Sequence, residues 1–388
     1  MILFLSLSLR AYAEDPLADF LGNESYDRDA IVRQLSESER LPRPAGVAGA
    51  HPLLENLQSV RRLALVLPIE SRGLAGQVAG DFERGCRHGV LGDGRELSIA
   101  LYSHDGNSAA EHYEAASRQG ADVIIGPMLK RGVESLTEKF PEMPVPTLLL
   151  QPAEGYFVMS LDAAQEASDL ARLLRESWEG TESPLIVVQP TPRGEQLAES
   201  FSREWLLGGG FRPEYFRIED DRYLEDPLEA WRPLFDKLKP PEPEDDSEEL
   251  PPPPPAVPVY AAGDAKFAEQ TRNFSPQRNP VYASSTANTG ADPSTALLLE
   301  NLGFMEMPWF SGLGEDTSYD SPLVRTLPVI RQRFFVLGAD ACRAILDMPV
   351  WSEGWELRGL GGTWTLRGEV FTRRGVLSSY RGGFLQPL

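Results

Sequence analysis

From about residue 62 onward the chain alternates between two kinds of segment. LALVLPI (63–69) is an unbroken apolar run, and an amphipathic stretch at 74–88 follows it. ELSIALYS (96–103), a stretch at 107–119, ADVIIGP (121–127), a stretch at 129–140 and VPTLLLQ (145–151) keep the same rhythm. Apolar runs without polar alternation mark strands buried on both faces, and the stretches between them carry apolar residues at helical spacing. The pattern predicts βαβ units around a parallel sheet.

The rhythm restarts after Gln151. YFVMS (156–160) precedes a predicted helix at 163–178, PLIVVQ (184–189) one at 194–207, and FRPEYFRI (211–218) one at 227–238. VPVYAAG (257–263) precedes a helix at 265–274, and NPVYASS (279–285) closes the set. Two sets of comparable size predict an α/β protein of two Rossmann-like lobes. Farther on, LGFMEMPWF (302–310) reads as a strand and 331–348 as a helix centred on FFVLGADACRAIL. Short strands follow around 362–366, 369–372 and 377–380.

Two segments break the pattern. Residues 14–60 are polar and interrupted by Pro42, Pro44 and Pro52, with one amphipathic stretch at 26–41. They read as a linker or short helical segment. KPPEPEDDSEELPPPPPAVP (239–258) combines mutually repelling carboxylates with prolines that favour extended chain, so it cannot build a core. Residues 240–256 are read as a disordered excursion from the second lobe. A surface insertion is the plain reading, and a PxxP ligand for a partner is the sharper one.

Composition narrows the function classes. With 388 residues the chain suits two medium domains or one bilobal unit. No apolar run approaches the roughly 20 residues that span a bilayer. A formal net charge of -21 argues against a nucleic-acid partner, whose phosphates need Lys/Arg patches. Residues 2–9 are apolar, and Ala11-Tyr12-Ala13 offers a small-residue cleavage signature. Residues 1–13 are therefore read as the remnant of a signal peptide and the protein as exported. No Cys follows the apolar stretch to serve as a lipobox cysteine.

Catalytic and metal chemistry finds little support. Four His residues (51, 88, 104 and 112) do not cluster at ligand spacing. Ser135 and Lys139 stand one helical turn apart, as on many solvated faces. The glycine stretches GLGEDT (312–317) and GLGG (359–362) lack the strand before and helix after that a dinucleotide site requires. The reading is of no enzyme, with no catalytic, cofactor-binding or metal-binding residues. Two cysteines, Cys86 and Cys342, cannot form a disulfide framework; an oxidising compartment permits one bridge between them.

These segments resemble a known family, the penicillin-binding-protein activators of the LpoA (LppC) type. The resemblance lies in RLALVLPIESRGLAGQVAGDFERG (62–85), LYSHDG (101–106), GADVIIGPMLKRGVESL (120–136) and TPRGEQLAESFSREW (191–205). VPTLLLQ, NPVYASS, ENLGFMEMPWF (300–310) and RFFVLGADACRAIL (333–346) complete it, over about residues 61–388. It implies a type I periplasmic-binding fold and a periplasmic or outer-membrane-associated regulator that stimulates a class A penicillin-binding protein, a peptidoglycan synthase. The family's helical-repeat N-terminal domain and lipidated Cys have no counterpart here. The chain reads either as a fragment of a longer protein or as a shortened relative. The alternative on the same fold is a periplasmic receptor for an amino-acid-like solute, since fold does not fix function.

On that fold, lobe 1 is expected to comprise 61–153 plus 284–360 and lobe 2 to comprise 154–283 plus 361–388. Three crossovers are expected, near 151–153, 284–286 and 359–362. A ligand cleft lies outside the carboxyl ends of the strands, which makes Ser71, Arg72, Gly126, Gln151, Thr191, Arg193, Asp264 and Ser284 candidate rim residues. Cys86 ends the first helix and Cys342 lies on the returning helix. They stand either as a candidate disulfide or as two separate buried thiols, and a Cα separation well beyond about 7 Å excludes the bridge.

Overall fold

The structure is a computed structural model that describes residues 54, 57–91, 94–178, 182–218, 222–239, 255–290, 293–312 and 322–388. The expected signal remnant, the helix at 26–41, residues 313–317 of the first glycine stretch and residues 240–254 of the acidic segment lie outside the described residues. Pro255 and Ala256 have no regular structure.

The first run of elements is β1 (Arg62–Leu67), α1 (Leu74–Gly89), β2 (Ser98–Ser103), α2 (Ala109–Arg118), β3 (Val123–Ile125), α3 (Lys130–Lys139), β4 (Thr147–Leu149) and β5 (Phe157–Val158). The second is α4 (Ala163–Ser177), β6 (Leu185–Val188), α5 (Pro192–Leu207), β7 (Glu214–Arg217), α6 (Pro227–Leu238), β8 (Val259–Ala262), α7 (Ala265–Phe274), β9 (Val281–Ala283) and β10 (Leu302–Glu306). Then come α8 (Val329–Leu346), β11 (Glu356–Gly359), β12 (Gly362–Arg367), β13 (Val370–Arg374), β14 (Val376–Arg381) and β15 (Phe384–Pro387). Helix starts follow local chemistry. Asp162, Thr191, Asp226 and Asp264 each accept a backbone N–H in the first turn of α4, α5, α6 and α7.

Two sheets result. One has the order β11-β12-β13-β5-β4-β3-β1-β2, the other β15-β14-β10-β9-β8-β6-β7. In the first, six strands run parallel (β13-β5-β4-β3-β1-β2), in the second five (β10-β9-β8-β6-β7), and β11, β12, β14 and β15 add antiparallel pairs. Helices cover both faces. In lobe 1, α1 and α8 pack on one face, around Phe82, Leu337 and Trp364, while Tyr113 of α2 and Leu136 of α3 pack on the other. In lobe 2, α4 and α5 pack on one face and α6 and α7 on the other.

Sheet membership corrects the expected lobe boundaries at four points. The strand at 156–160 was expected to open lobe 2, but β5 pairs with β4, and Phe157 and Met159 bury in the lobe 1 core. Its apolar side chains match the nearer sheet, and the turn from β4 needs no helix. The strand at 302–306 was expected in lobe 1, but β10 adds in parallel to β9 and buries Leu302 and Phe304 in lobe 2. Residues 361–374 were expected in lobe 2, yet β12 and β13 lie in the lobe 1 sheet, where Trp364, Leu366 and Phe371 are buried. Leu54 and Val60, read as linker, also bury in that core. Among the described residues the chain therefore passes between the sheets at 159–162, between β10 and α8, and at Gly375 between β13 and β14.

Helices α1 and α8 pack backbone to backbone. A Cβ on Gly85 would lie 1.9 Å from the Phe335 carbonyl oxygen, and one on Gly338 2.1 Å from that of Phe82. Cys86 and Cys342 form a disulfide across this contact, with Cα atoms 5.1 Å apart. Arg331 adds a two-point ion pair to the buried Asp81, at 2.6 and 3.2 Å.

Candidate functional site

The carboxyl ends of β4 and β9 face each other across the junction of the lobes. There Leu150 and Gln151 from lobe 1, Leu161 and Glu166 around the start of α4, the 285–289 turn from lobe 2 and the first turns of α8 enclose a cavity of about 180 Å³. Its walls are mainly apolar: Leu161, Val329, Ile330, Phe334 and Leu337 contribute most of them. Glu166 also lines a second, wider groove of about 550 Å³ with Ser160, Asp162, Gln165 and Arg373.

Four charged side chains meet at this junction, and all are buried: Glu306 is 0% exposed, Arg373 5%, Arg333 6% and Glu166 7%. Arg373 of β13 pairs with Glu166 of α4 and donates to the Gly361 carbonyl at 3.0 Å. Arg333 of α8 donates to Glu306 at 2.6 Å and to the Ser285 carbonyl at 2.7 Å. The Ser285 N–H donates to Glu166 at 3.2 Å, so one peptide segment links the two pairs. Asn288 donates to Glu306 at 2.7 Å and accepts from Tyr380 at 2.8 Å. Buried charges are tolerated only when paired and hydrogen-bonded in this way.

The surrounding titratable groups show the effect of dry surroundings. Burial pushes the Asp169 carboxyl up to about 6, against the pull of Arg172. Burial also raises the Asp340 carboxyl, although it accepts from the Leu360 and Gly361 N–H groups and the Trp364 indole at 2.7–2.9 Å. Those bonds shape the GLGG turn between β11 and β12. On the lobe 1 rim, burial and the neighbouring His112 hold His104 down at about 4, and its Nδ1 accepts from the Gly106 N–H at 2.9 Å.

The eight expected rim residues divide by what they touch. Gln151 is buried and lines the cavity, and Ser284 is buried beside it with its hydroxyl 2.6 Å from that of Thr286. Thr191 and Asp264 serve as helix caps, and Asp264 is held further by Gln189. Ser71 donates to the Asp105 carbonyl at 2.7 Å and Arg72 is exposed. Arg193 is half-buried, close enough to the buried Tyr260 to act on it electrostatically. Gly126 is buried within lobe 1: its φ is 111°, and a Cβ there would lie 2.2 Å from the Val66 carbonyl oxygen. The structure thus brings Gln151 and Ser284 to the junction and gives Gly126 a backbone role. Glu166, Arg333, Asn288, Glu306 and Arg373 were missed. For Glu166, Arg333 and Glu306 the signal is a single charge inside an apolar pattern, as in FME306M, R333FFVLGA and the Ala163–Ala167–Leu170 face of α4.

Among the described residues, no three His, Cys, Asp or Glu side chains come together as a metal-binding group, and no helix is long and apolar enough to cross a membrane.

Two sheets, a three-pass hinge and a cleft at the strand ends define a type I periplasmic-binding fold. The chain's curated homologues over most of its length are named penicillin-binding protein activator LpoA. That of Edwardsiella ictaluri is 26% identical, matching 89% of this chain and 55% of its own length. That of Klebsiella pneumoniae is 25% identical over 74% of this chain and 44% of its own. The chain spans about half the length of these relatives. Full-length LpoA from Haemophilus influenzae superimposes with a TM-score of 0.67 at 18% identity, covering 87% of this chain and 61% of that one. A putative branched-chain amino acid ABC transporter protein from Chromobacterium violaceum gives 0.62 at 25% identity, covering 82% and 99%. No family model matches the chain.

Proposed function

We propose that this protein is a non-catalytic regulator that acts in the periplasm, binding a class A penicillin-binding protein and stimulating its peptidoglycan synthesis. The observation that carries this reading is the run of LpoA homologues across most of the chain. A Haemophilus influenzae structure of the same fold, the LpoA C-domain, is described as a regulator of PBP1A. The chemistry of the junction agrees with it. Glu166, Arg333, Glu306 and Arg373 are engaged with one another and with backbone groups, so their charges serve to hold the lobes.

Binding in this reading uses the outer surface of the lobes. A chain of net charge -21 steers toward a basic patch on its partner, which affects association rate and specificity more than final affinity. The test pairs two binding experiments: surface binding of the purified protein to the cognate class A synthase at low and high salt, and calorimetry against amino acids and muropeptides. Association with the synthase that slows as salt rises supports the proposal. Micromolar uptake of an amino acid without synthase binding makes the protein a solute receptor.

A further inference from the structure

We infer that the angle between the two lobes is fixed by a strut of buried charges that crosses the hinge and finds its counter-charges within the protein itself. The inference is independent of the partner proposed above.

Two lobes joined by three chain passages form a hinge, and such hinges ordinarily let domains close and open around a cleft. Here the passages are braced. Arg333 and Arg373 belong to lobe 1, through α8 and β13; Glu306 and Glu166 belong to lobe 2, through β10 and α4. Each arginine reaches across to a carboxylate of the other lobe, and both pairs converge on the backbone of Ser285. The second carboxylate oxygen of Glu306 accepts from its neighbour Met307 at 2.9 Å, so neither oxygen is left over. The backbone passages also touch: a Cβ on Gly375 would lie 2.5 Å from the Glu306 carbonyl oxygen.

Rotating the lobes apart would separate both ion pairs together. Each partner would then stand buried without its counter-charge, an arrangement that is strongly destabilising in a protein interior. The geometry is also over-determined. Arg333 must meet a carboxylate and a carbonyl together, and Glu306 must meet Arg333, Asn288 and its own following N–H. A lobe angle that satisfies one contact and not the others costs most of the network. The molecule therefore presents one rigid outer surface, with the hinge closed to the wide swing of a trap.

Pulsed dipolar spectroscopy between spin labels at Ser135→Cys on α3 and Arg203→Cys on α5, both exposed positions, reads the lobe separation directly. The otherwise unaltered chain is expected to give one narrow distance distribution. Glu306→Gln and Arg373→Met should each broaden it or add a second distance, while hydrogen exchange in β1 and β8 stays slow. A broad or two-peaked distribution in the otherwise unaltered chain overturns the inference, as does a narrow one in both folded variants. Should a substitution unfold a lobe, the unaltered chain's distribution decides alone.

Discussion

Single residues at the junction and the rim show what burial does to ionisable groups. His104 lies under the lobe 1 rim, facing His112, Asp105, Glu70 and Arg131, and burial holds it at about 4 against an ordinary value of 6.5. Its neutral form is the one the fold favours. The stability this contributes is complete above pH 6.5 and is lost as pH falls from 6.5 toward 4, because the unfolded chain takes up the proton first. Asp169 has the opposite sign: raised to about 6, its stabilising effect belongs to low pH and fades as pH rises from about 4 to 6. The difference between wild type and His104→Gln isolates the first effect. Melting temperatures should diverge less at pH 4.5 than at pH 7.5, and parallel pH profiles would contradict the assignment.

The same scale explains why the junction was hard to read. Glu166 and Arg373 are 207 residues apart, and nothing local to either names the other. The sequence shows only that a charge interrupts an apolar face. A burial argument then demands a partner without saying which. Thr191 and Asp264 were legible as polar residues at strand ends, yet in both the side chain is spent on capping the next helix. Cap and ligand contact use the same residue types at the same position.

At the scale of elements, strand cores were legible because unbroken apolar runs allow little else, as in LALVL of β1 and LIVV of β6. Sheet membership was not. Strand β5 is two residues long, and β13 and β14 are separated by Gly375 alone, so one glycine decides which sheet the tail joins. The α1–α8 contact is the element pair most open to test. Gly85→Ala places a methyl group on the Phe335 carbonyl and should destabilise lobe 1 by about 1–3 kcal/mol or more, the cost of overpacking where backbone must move. Urea titration reads it, and an unchanged midpoint would mean the helices can separate freely. Replacing Cys86 and Cys342 together by Ala opens a bridge that spans 256 residues and should cost about 2–5 kcal/mol. A melting curve of the double variant that overlays wild type would show that the bridge adds nothing to helices already locked by close packing.

The whole molecule joins a fold widely used for solute capture to a hinge whose buried charges are paired across the lobes. In the proposed role it is a two-lobed, strongly acidic body that meets a peptidoglycan synthase through its exterior. Attraction between such a surface and a basic patch is screened over about 8 Å at physiological ionic strength, so association with the partner should be markedly slower at high salt. The most direct measurement is glycan-strand polymerisation by the cognate class A penicillin-binding protein with and without the purified protein. The account predicts a faster rate when the protein is added, saturating with its concentration, and no polymerisation or hydrolysis by the protein alone. An unchanged rate at saturating protein, or turnover of glycan by the isolated protein, would contradict it.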